Sequence, residues 1–343
     1  MAGKGQLRGA LLEEVILVLL QGSGYIPVIE HEHDPTLSRS AAGLQVKGRG
    51  ADHQIDAIAD FFIPQPFTNP QRLLVEAKAY DHEKVGLGVV RNAVGVLKDV
   101  SEYWRADTRS TTERTRYSYQ TAIFSTTGFS ANAQKYAYAQ NVYLLPLRRT
   151  SFLRPVLDAL WQASETLSVD PTPAAIGYLR DQFRETMRSD MAPTDEVLRP
   201  LLSACRGVGS AMLGMIANRL PLFLVSANSD TLDQLPTRTK IRMHLNDQGW
   251  FLGPEGDEYL FSFDLPDELF EKYAKSGQIS QQAALDMKEE RLQTITAFRV
   301  RQGQPSVIIL ELDRDWLDNV KSRIHAERDA RQHSPRVLEE ENG

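Results

Sequence analysis

Residues 54–80, QIDAIADFFIPQPFTNPQRLLVEAKAY, contain two apolar runs separated by a connection rich in Pro and Asn. The runs QIDAIADFF and RLLVEAKAY are rich in Ile, Leu, Val and Phe, which indicates two short β-strands. The intervening PQPFTNPQ is typical of a loop. The sequence therefore predicts a β-hairpin, and the rest of the N-terminal half is arranged around it.

Both predicted strands carry charged side chains among apolar neighbours. Glu76 and Lys78 are two residues apart, so a strand places them on the same face of the sheet. Asp56 lies within reach across the hairpin if the pairing is regular. Two carboxylates beside an ammonium group can hold a divalent cation and activate a water molecule. The alternatives are an edge-strand charge and a solvated ion pair, but the apolar residues of LLVEAK favour a functional site, because unpaired charges are rarely buried.

Length and composition describe a globular protein. The chain has 343 residues, 42% of them apolar and 24% charged, which predicts about two domains. The single cysteine, Cys205, excludes a disulfide framework and is expected to be a small buried apolar residue. Glu13 and Glu14 interrupt the N-terminal apolar run, unlike a signal peptide, and no uncharged apolar run reaches membrane-spanning length. We therefore expect a cytoplasmic protein without a membrane partner.

Charge is unevenly distributed between the two halves. Residues 1–160 contain 18 basic and 16 acidic side chains, and residues 161–343 contain the remaining 21 and 29, which gives net charges of +2 and -8. The first half is therefore the better candidate to bind a polyanion, and the acidic second half favours another role.

The N-terminal half continues as alternating helices and strands. Apolar periodicity predicts a helix over 7–21, another over 87–104, and strands near 44–50, 121–130 and 141–147, with a helix after each of the last two. This order predicts an α/β/α sandwich with the hairpin at the centre of its sheet.

Several residues of this half are candidates for binding nucleic acid. Arg91 lies near the start of the 87–104 helix and off its apolar stripe, where it can pair with the carboxylates or bind a phosphate. Ser130 is placed as the N-cap of the next helix, and its turn, STTGFS, can also hold a phosphate. Four arginines interleaved with tyrosines suit a surface that follows a nucleic-acid backbone: Arg105, Arg109, Arg114 and Arg116.

The ordered set of segments resembles the Mrr-like restriction endonucleases of the PD-(D/E)xK nuclease superfamily. The segments that carry the resemblance are LLEEVILVLLQGSGY, GADHQIDAIADF, LLVEAKAY, VVRNAVG and AIFSTTGFSANAQKYAYAQNVYLL. They cover about residues 7–147 and leave the second half unassigned. The resemblance implies a restriction-endonuclease-like α/β/α sandwich with a mixed central sheet.

The resemblance also implies a role for each candidate site residue. Asp56 and Glu76 correspond to the metal-binding carboxylates, and Lys78 to the residue that orients or deprotonates the attacking water. The family's first-helix glutamate, a further metal ligand, falls on Glu13, with Glu14 as the fallback. Arg91 matches a basic position that the family often carries.

The implied cofactor is one or two Mg²⁺ ions, or Mn²⁺, and the implied substrate is double-stranded DNA. The chain departs from the usual pattern in a longer insert before Asp56, which leaves the target preference open, and in Glu76 where many members carry Gln. Glu76 supplies a harder oxygen ligand for Mg²⁺. Cutting both strands of a duplex requires two active sites, so a homodimer is a further hypothesis.

The second half is expected to be a smaller α+β domain. We predict a nuclease domain over 1–165, a helical linker region over 166–220 that includes a helical stretch near 203–219, an α+β recognition or regulatory domain over 221–332, and a disordered tail over 333–343. The acidic balance of the α+β domain suits a partner protein better than DNA.

Two classes of function fit the sequence. The first is a metal-dependent DNA endonuclease that acts in restriction or phage defence. The second is a non-catalytic module on the same fold that binds nucleic acid or protein, because fold does not fix function. A repair or RNA-directed nuclease is a weaker alternative. The complete set Asp56, Glu76 and Lys78 favours the enzyme.

Overall fold

A computed structural model describes most of the chain, and all structural statements below concern the residues it describes. These are residues 3–40, 43–63, 66–103, 116–189, 195–208, 211–217, 219–226, 235–246, 249–254, 259–274, 278–301 and 304–333.

The N-terminal half alternates strands and helices much as predicted. Its elements are α1 Lys4–Gly22, β1 Tyr25–Pro27, β2 Leu37–Ser40, β3 Gly43–Lys47, β4 Asp52–Gln54, β5 Ala57–Phe61, β6 Gln71–Lys78, α2 Leu87–Ser101, β7 Ser118–Ser125, α3 Ala131–Gln140 and β8 Tyr143–Pro146.

The central sheet is mixed, with five strands in the order β1-β5-β6-β7-β8. The hairpin supplies the antiparallel pair β5 and β6, whereas β6, β7 and β8 run parallel. The parallel pairs follow from the helices between these strands, since a crossover helix returns the chain to the same end of the sheet. Strands β2, β3 and β4 form a separate antiparallel sheet.

The register of the hairpin is fixed by a buried ion pair. Arg72 on β6 lies opposite Asp60 on β5 and donates two hydrogen bonds of 2.7 and 2.8 Å to its carboxylate. The same guanidinium lies 2.7 Å from a carboxylate oxygen of Asp34. A one-residue slip would turn every side chain of the strand to the other face, so this pair helps to place the beginning of β5 beside the end of β6.

Helices cover both faces of the sheet. Helix α1 packs on one face, where its apolar side chains share a core with Leu73, Val75 and Ala77 of β6. Helices α2 and α3 pack on the other face, around Ile123 of β7. This is the three-layer arrangement that the sequence predicts.

The α1 face is completed by three later helices. They are α4 Arg154–Glu165, α5 Pro173–Ser189 and α6 Arg199–Gly207. Their buried side chains belong to the same core as α1. The single cysteine lies in this layer: Cys205 is buried, and burial raises the pKa of its thiol to about 12, as expected for an inert core residue.

The second half is built around a closed barrel. Its elements are β9 Ala211–Ile216, β10 Leu220–Ser226, β11 Arg238–Asn246, β12 Gly249–Gly253, β13 Phe261–Phe263, α7 Asp267–Tyr273, α8 Gln281–Glu290, β14 Thr294–Arg301, β15 Gln304–Leu312 and α9 Arg314–His333. The strand order around the barrel is β10-β13-β12-β11-β15-β14-β9. All neighbouring pairs are antiparallel except β11 with β15.

The predicted helical stretch near 203–219 is wrong in its second part. Helix α6 ends at Gly207, and residues 211–216 form β9, which pairs with β10 and β14. This strand is buried on both sides, because Leu213 belongs to the sandwich core and Met212 to the barrel core. It therefore lacks the polar alternation that marks a surface strand. The predicted boundary at 220/221 falls within the barrel, at the β9–β10 hairpin.

Two further predictions concern membrane-spanning helices and the C-terminal tail. Among the described residues, no helix is long and apolar enough to cross a membrane. The predicted disordered tail lies, except for its first residue, outside the residues that the structure describes.

Candidate active site

Asp56 was predicted to lie within the first strand of the hairpin, but it lies in a bend directly before β5. The bend turns its carboxylate toward the end of β6, where its Oδ2 accepts a hydrogen bond of 2.8 Å from the backbone N–H of Ala77. This bond fixes the carboxylate beside Glu76 and Lys78.

Glu76 and Lys78 lie on the same face of β6, as predicted. They alternate with Val75 and Ala77, which are buried against the α1 layer. The Lys78 ammonium contacts Oε1 of Glu76 and lies 3.9 Å from Oδ2 of Asp56. The three side chains are 22–27% exposed, so they are reachable from solvent but largely removed from it. The structure therefore brings together the three residues that the sequence singled out.

The electrostatics of this group are coupled. Burial raises the pKa of the Asp56 carboxyl, and the neighbouring Glu76 carboxylate raises it further. Burial disfavours the charged form of Lys78, but the Glu76 and Asp56 carboxylates outweigh this effect and raise the pKa of the ammonium. Lys78 is therefore a cation at neutral pH.

The two glutamates of α1 differ in their surroundings. Glu14 is 3% exposed, and its carboxylate accepts hydrogen bonds from the guanidinium groups of Arg180 and Arg184 on α5. Glu13 lies 3.0 Å from Arg180 through Oε2. Glu14 is thus saturated by two arginines, whereas Glu13 has one ion pair.

Glu13 is electrostatically part of the site. Burial raises the pKa of its carboxyl to about 8, Arg180 counteracts this, and the Asp56 carboxylate adds to it. Glu13, Asp56 and Arg180 line a cavity of about 210 Å³ that also borders β5 and α5. This cavity gives a small anion or a hydrated cation access to the Asp56 side of the site.

The structure does not bring Glu13 into one ligand cluster with Asp56 and Glu76. Within the described part of the chain, no three His, Cys, Asp or Glu side chains lie close enough together to hold one metal ion. The ion pair with Arg180 accounts for this, because it directs the Glu13 carboxylate toward α5. Its role as a third metal ligand stays a prediction.

Arg180 and Arg184 were not among the predicted site residues. They lie more than 160 positions after Glu14, in the stretch interpreted as a linker. Their spacing of four places both on one face of a helix, but no local pattern in the sequence relates that helix to Glu14.

Arg91 contacts an aromatic ring, and Ser130 caps a helix as predicted. Arg91 lies over the ring of Tyr136, 5.8 Å from its centroid, and among the described residues it makes no ion pair with the site carboxylates. Ser130 is the N-cap of α3, as predicted, and its Oγ accepts a hydrogen bond from the N–H of Ala133.

The hydroxyl groups of the turn after β7 are used within the protein. Ser125 donates to the carbonyl of Gly128, and Thr126 donates to the carbonyl of Tyr80. Thr127 donates to the carbonyl of Glu83. Because these three hydroxyl groups donate to backbone carbonyls, they do not support the phosphate-binding role considered for this turn.

Of the four arginines in the arginine-rich segment, the structure describes only Arg116, which lies at the other end of the sheet. Arg105, Arg109 and Arg114 are outside the described residues, and Arg116 is exposed. Arg116 precedes Ser118, which pairs with Gln71 at the start of β6, whereas Lys78 pairs with Ser125. Seven residues of strand, ~23 Å at 3.3 Å each, separate these two ends. A contact of Arg116 with nucleic acid would therefore be remote from the candidate catalytic residues.

Comparison with known proteins supports the resemblance. Residues 6–149 match the family model Mrr_cat, described as a restriction endonuclease. The predicted similarity of the N-terminal half to an Mrr-like nuclease is therefore confirmed. No curated protein shows a significant match to this chain.

One solved structure, described as a protein of unknown function, AF1548, is similar to the chain. It is 17% identical and covers 59% of this chain and 97% of its own, with a TM-score of 0.31. A likeness at that TM-score carries no argument about fold or function.

Proposed function

We propose that the chain is a metal-dependent endonuclease that hydrolyses phosphodiester bonds in double-stranded DNA. The observation that carries the proposal is the convergence of the Asp56 and Glu76 carboxylates on the Lys78 ammonium at one end of the sheet. The family match over residues 6–149 supports the same class of reaction.

The donor set fits a hard divalent cation. Asp56 and Glu76 both offer carboxylate oxygens, which Mg²⁺ and Mn²⁺ prefer. The Ala77 N–H occupies Oδ2 of Asp56, and within the described residues Oδ1 accepts no hydrogen bond. When bound, a divalent cation would neutralise charge at the phosphate and lower the pKa of a water molecule.

Lys78 supports this reaction as a positioned cation. Burial lowers the pKa of its ammonium, but the Glu76 and Asp56 carboxylates outweigh this effect, and these are the groups that would bind the cation. The ammonium is placed to orient the attacking water by hydrogen bonding and to stabilise negative charge that develops on the phosphate oxygens. Both roles that the resemblance implies, orientation and deprotonation of the water, belong to this proposal.

Glu13 is our choice for the first-helix ligand. Glu14 is engaged by both Arg180 and Arg184, so removing it from that pair would leave Arg184 without its buried partner and Arg180 with Glu13 alone. Glu13 faces the cavity that Asp56 lines, and it needs to exchange only its contact with Arg180.

The biological setting is also a proposal. A restriction or phage-defence role in the cytoplasm follows from the class of nuclease, and cleavage of both strands calls for a homodimer or a transient pair on DNA. The acidic second half is proposed to bind a partner protein.

The test is cleavage of plasmid DNA by the full chain. With Mg²⁺ or Mn²⁺ we expect nicked or linear products, and with EDTA none. Lys78→Ala should abolish cleavage while the melting temperature stays within a few degrees of wild type. Lys98→Ala, an exposed lysine at the far end of α2, is the matched control and should cleave normally.

The substrate panel separates the alternatives. Modified DNA, unmodified DNA and RNA are compared for wild type and Lys78→Ala. Equal behaviour of the two proteins on all three substrates would refute the enzyme, and binding without cleavage would favour the non-catalytic module. Cleavage of RNA alone would favour the RNA-directed nuclease.

A further inference from the structure

The candidate catalytic residues share one edge of the sheet with a group of basic residues. Because β6, β7 and β8 are parallel, their C-terminal ends lie at the same edge, with Lys78 opposite Ser125 and Ser125 opposite Pro146. The ends of β6 and β8 are two strand spacings apart, ~10 Å. Arg148 and Arg149 follow directly after β8.

This edge opens into a cleft of about 580 Å³ between the sandwich and the barrel. The sandwich side of the cleft is basic, and its charged residues are Lys84, Arg148, Arg149 and Arg154. The barrel side contributes Trp250 and Phe270 together with two acids, Asp264 and Asp267.

The acids of the barrel side are already engaged by the sandwich. Asp267 lies 2.8 Å from Nε of Arg149. Asp264 accepts hydrogen bonds of 2.7 and 2.9 Å from the N–H and hydroxyl of Ser151. On the neighbouring turn of α7, Glu271 lies 3.9 Å from Lys84. These contacts attach α7 to the sandwich and account for two of the four basic groups.

The other two basic groups, Arg148 and Arg154, have no acidic partner among the described residues. Arg148 and Arg154 are exposed, and within the described part of the chain neither forms an ion pair. Two arginines without acidic partners, on the wall of a cleft beside a candidate phosphodiesterase site, form a region of positive potential that attracts a polyanion.

We propose that this cleft binds the phosphodiester backbone of a single nucleic-acid strand, with Arg148 and Arg154 on successive phosphates. The inference rests on the proposed function, since the strand is the one that continues from the active site. A single strand is favoured because 580 Å³ is the size of a ligand pocket, which admits a few nucleotides and excludes a duplex.

The experiment measures binding of the full chain in EDTA, where no cleavage is needed. Fluorescence anisotropy follows a labelled oligothymidylate and a duplex of equal length. The variant is the double substitution Arg148→Gln with Arg154→Gln, and its matched control is Arg199→Gln with Arg323→Gln, two exposed arginines away from the cleft.

The expected result is a flatter salt dependence for the cleft variant on the single strand. Two lost phosphate contacts change the slope by about 1.4, at ~0.7 per contact. Between 50 and 200 mM salt, a fourfold range, the affinity of wild type should therefore fall about sevenfold more than that of the variant. The control variant should behave as wild type.

The other outcomes separate the failure of the cleft proposal from the failure of the proposed function. Equal single-strand binding and equal salt slopes for wild type and the cleft variant would refute it, and a loss confined to the duplex would assign the arginines to duplex DNA instead. If plasmid cleavage depends on Lys78 but the cleft variant binds the single strand normally, the proposed role of the cleft is refuted and the proposed function stands. Loss of single-strand binding by the cleft variant, with no cleavage by wild type, would retain the cleft and refute the nuclease.

Discussion

Replacing Glu14 by Gln should destabilise the protein, whereas the same change at Glu13 should act mainly on the site. The side chain of Glu14 is 3% exposed, and it accepts hydrogen bonds from both Arg180 and Arg184. Gln keeps the shape of the side chain but removes its charge. Arg184 then loses its buried counter-ion, and Arg180 keeps only Glu13.

The magnitude follows from the burial of the three partners. Breaking a buried ion pair by removing one partner costs about 3–5 kcal/mol, because an uncompensated charge is left behind. The arginine side chains are 32% and 26% exposed, so water can replace part of the lost interaction, and the amide oxygen of Gln still accepts one hydrogen bond. We therefore expect a loss of about 2–4 kcal/mol in the free energy of unfolding.

The assay is urea unfolding at pH 7 in EDTA, followed by circular dichroism. Glu185→Gln, an exposed glutamate on α5, is the control and should change the free energy of unfolding by less than about 0.5 kcal/mol. A Glu14→Gln protein as stable as this control would show that the arginine pair is fully solvated. The assignment of Glu14 to the core, and with it the choice of Glu13 as ligand, would then be refuted.

Three further predictions concern pH and the extent of the folded unit. The pKa of the Glu13 carboxyl is raised to about 8 in the folded protein, so the folded state binds this proton more tightly than the unfolded state does. The free energy of unfolding should therefore fall as pH rises from about 5 to 8. In urea denaturation at a series of pH values, Glu13→Gln should reduce this dependence. Burial lowers the pKa of the Lys288 ammonium to about 8, so the charged lysine destabilises the folded protein below pH 8. Lys288→Met should therefore raise the free energy of unfolding by about 1–3 kcal/mol at pH 7 and by less at pH 10. A fragment of residues 1–165, the predicted nuclease domain, should lack a cooperative thermal transition, whereas the full chain should show one. Cooperative melting of that fragment would contradict the shared core.

The sheet and its helices were predictable because their signals are local. Ser130 caps α3 because a serine before a helical run supplies the missing acceptor, and the alternation in LLVEAK places Glu76 and Lys78 on one face. Strand β9 was missed because it packs against two cores at once, and an apolar run of this kind is compatible with either a strand or a buried helix.

The candidate site was only partly predictable, because one side of it is non-local. Asp56, Glu76 and Lys78 lie within one hairpin, so their convergence follows from strand pairing. The interaction of Arg180 with Glu13 joins residues more than 160 positions apart, and no local pattern encodes such a contact. The sequence therefore left Glu13 and Glu14 as alternatives, and the difference between them depends on α5.

The position of α5 also bears on where the catalytic unit ends. The family match stops at residue 149, but eight side chains between 166 and 208 belong to the same core as α1: Ile176, Leu179, Phe183, Leu198, Leu201, Leu202, Cys205 and Val208. Each buried aliphatic or aromatic side chain contributes roughly 1.5–3 kcal/mol, so the seven that are not cysteine contribute about 10–21 kcal/mol, which is comparable with the 5–15 kcal/mol by which a typical domain is stable. The helix that supplies Arg180 is therefore part of the sandwich core. Since β9 follows this layer directly and Leu213 donates its N–H to Ser23 at the end of α1, the barrel is attached through the same layer that supports the site.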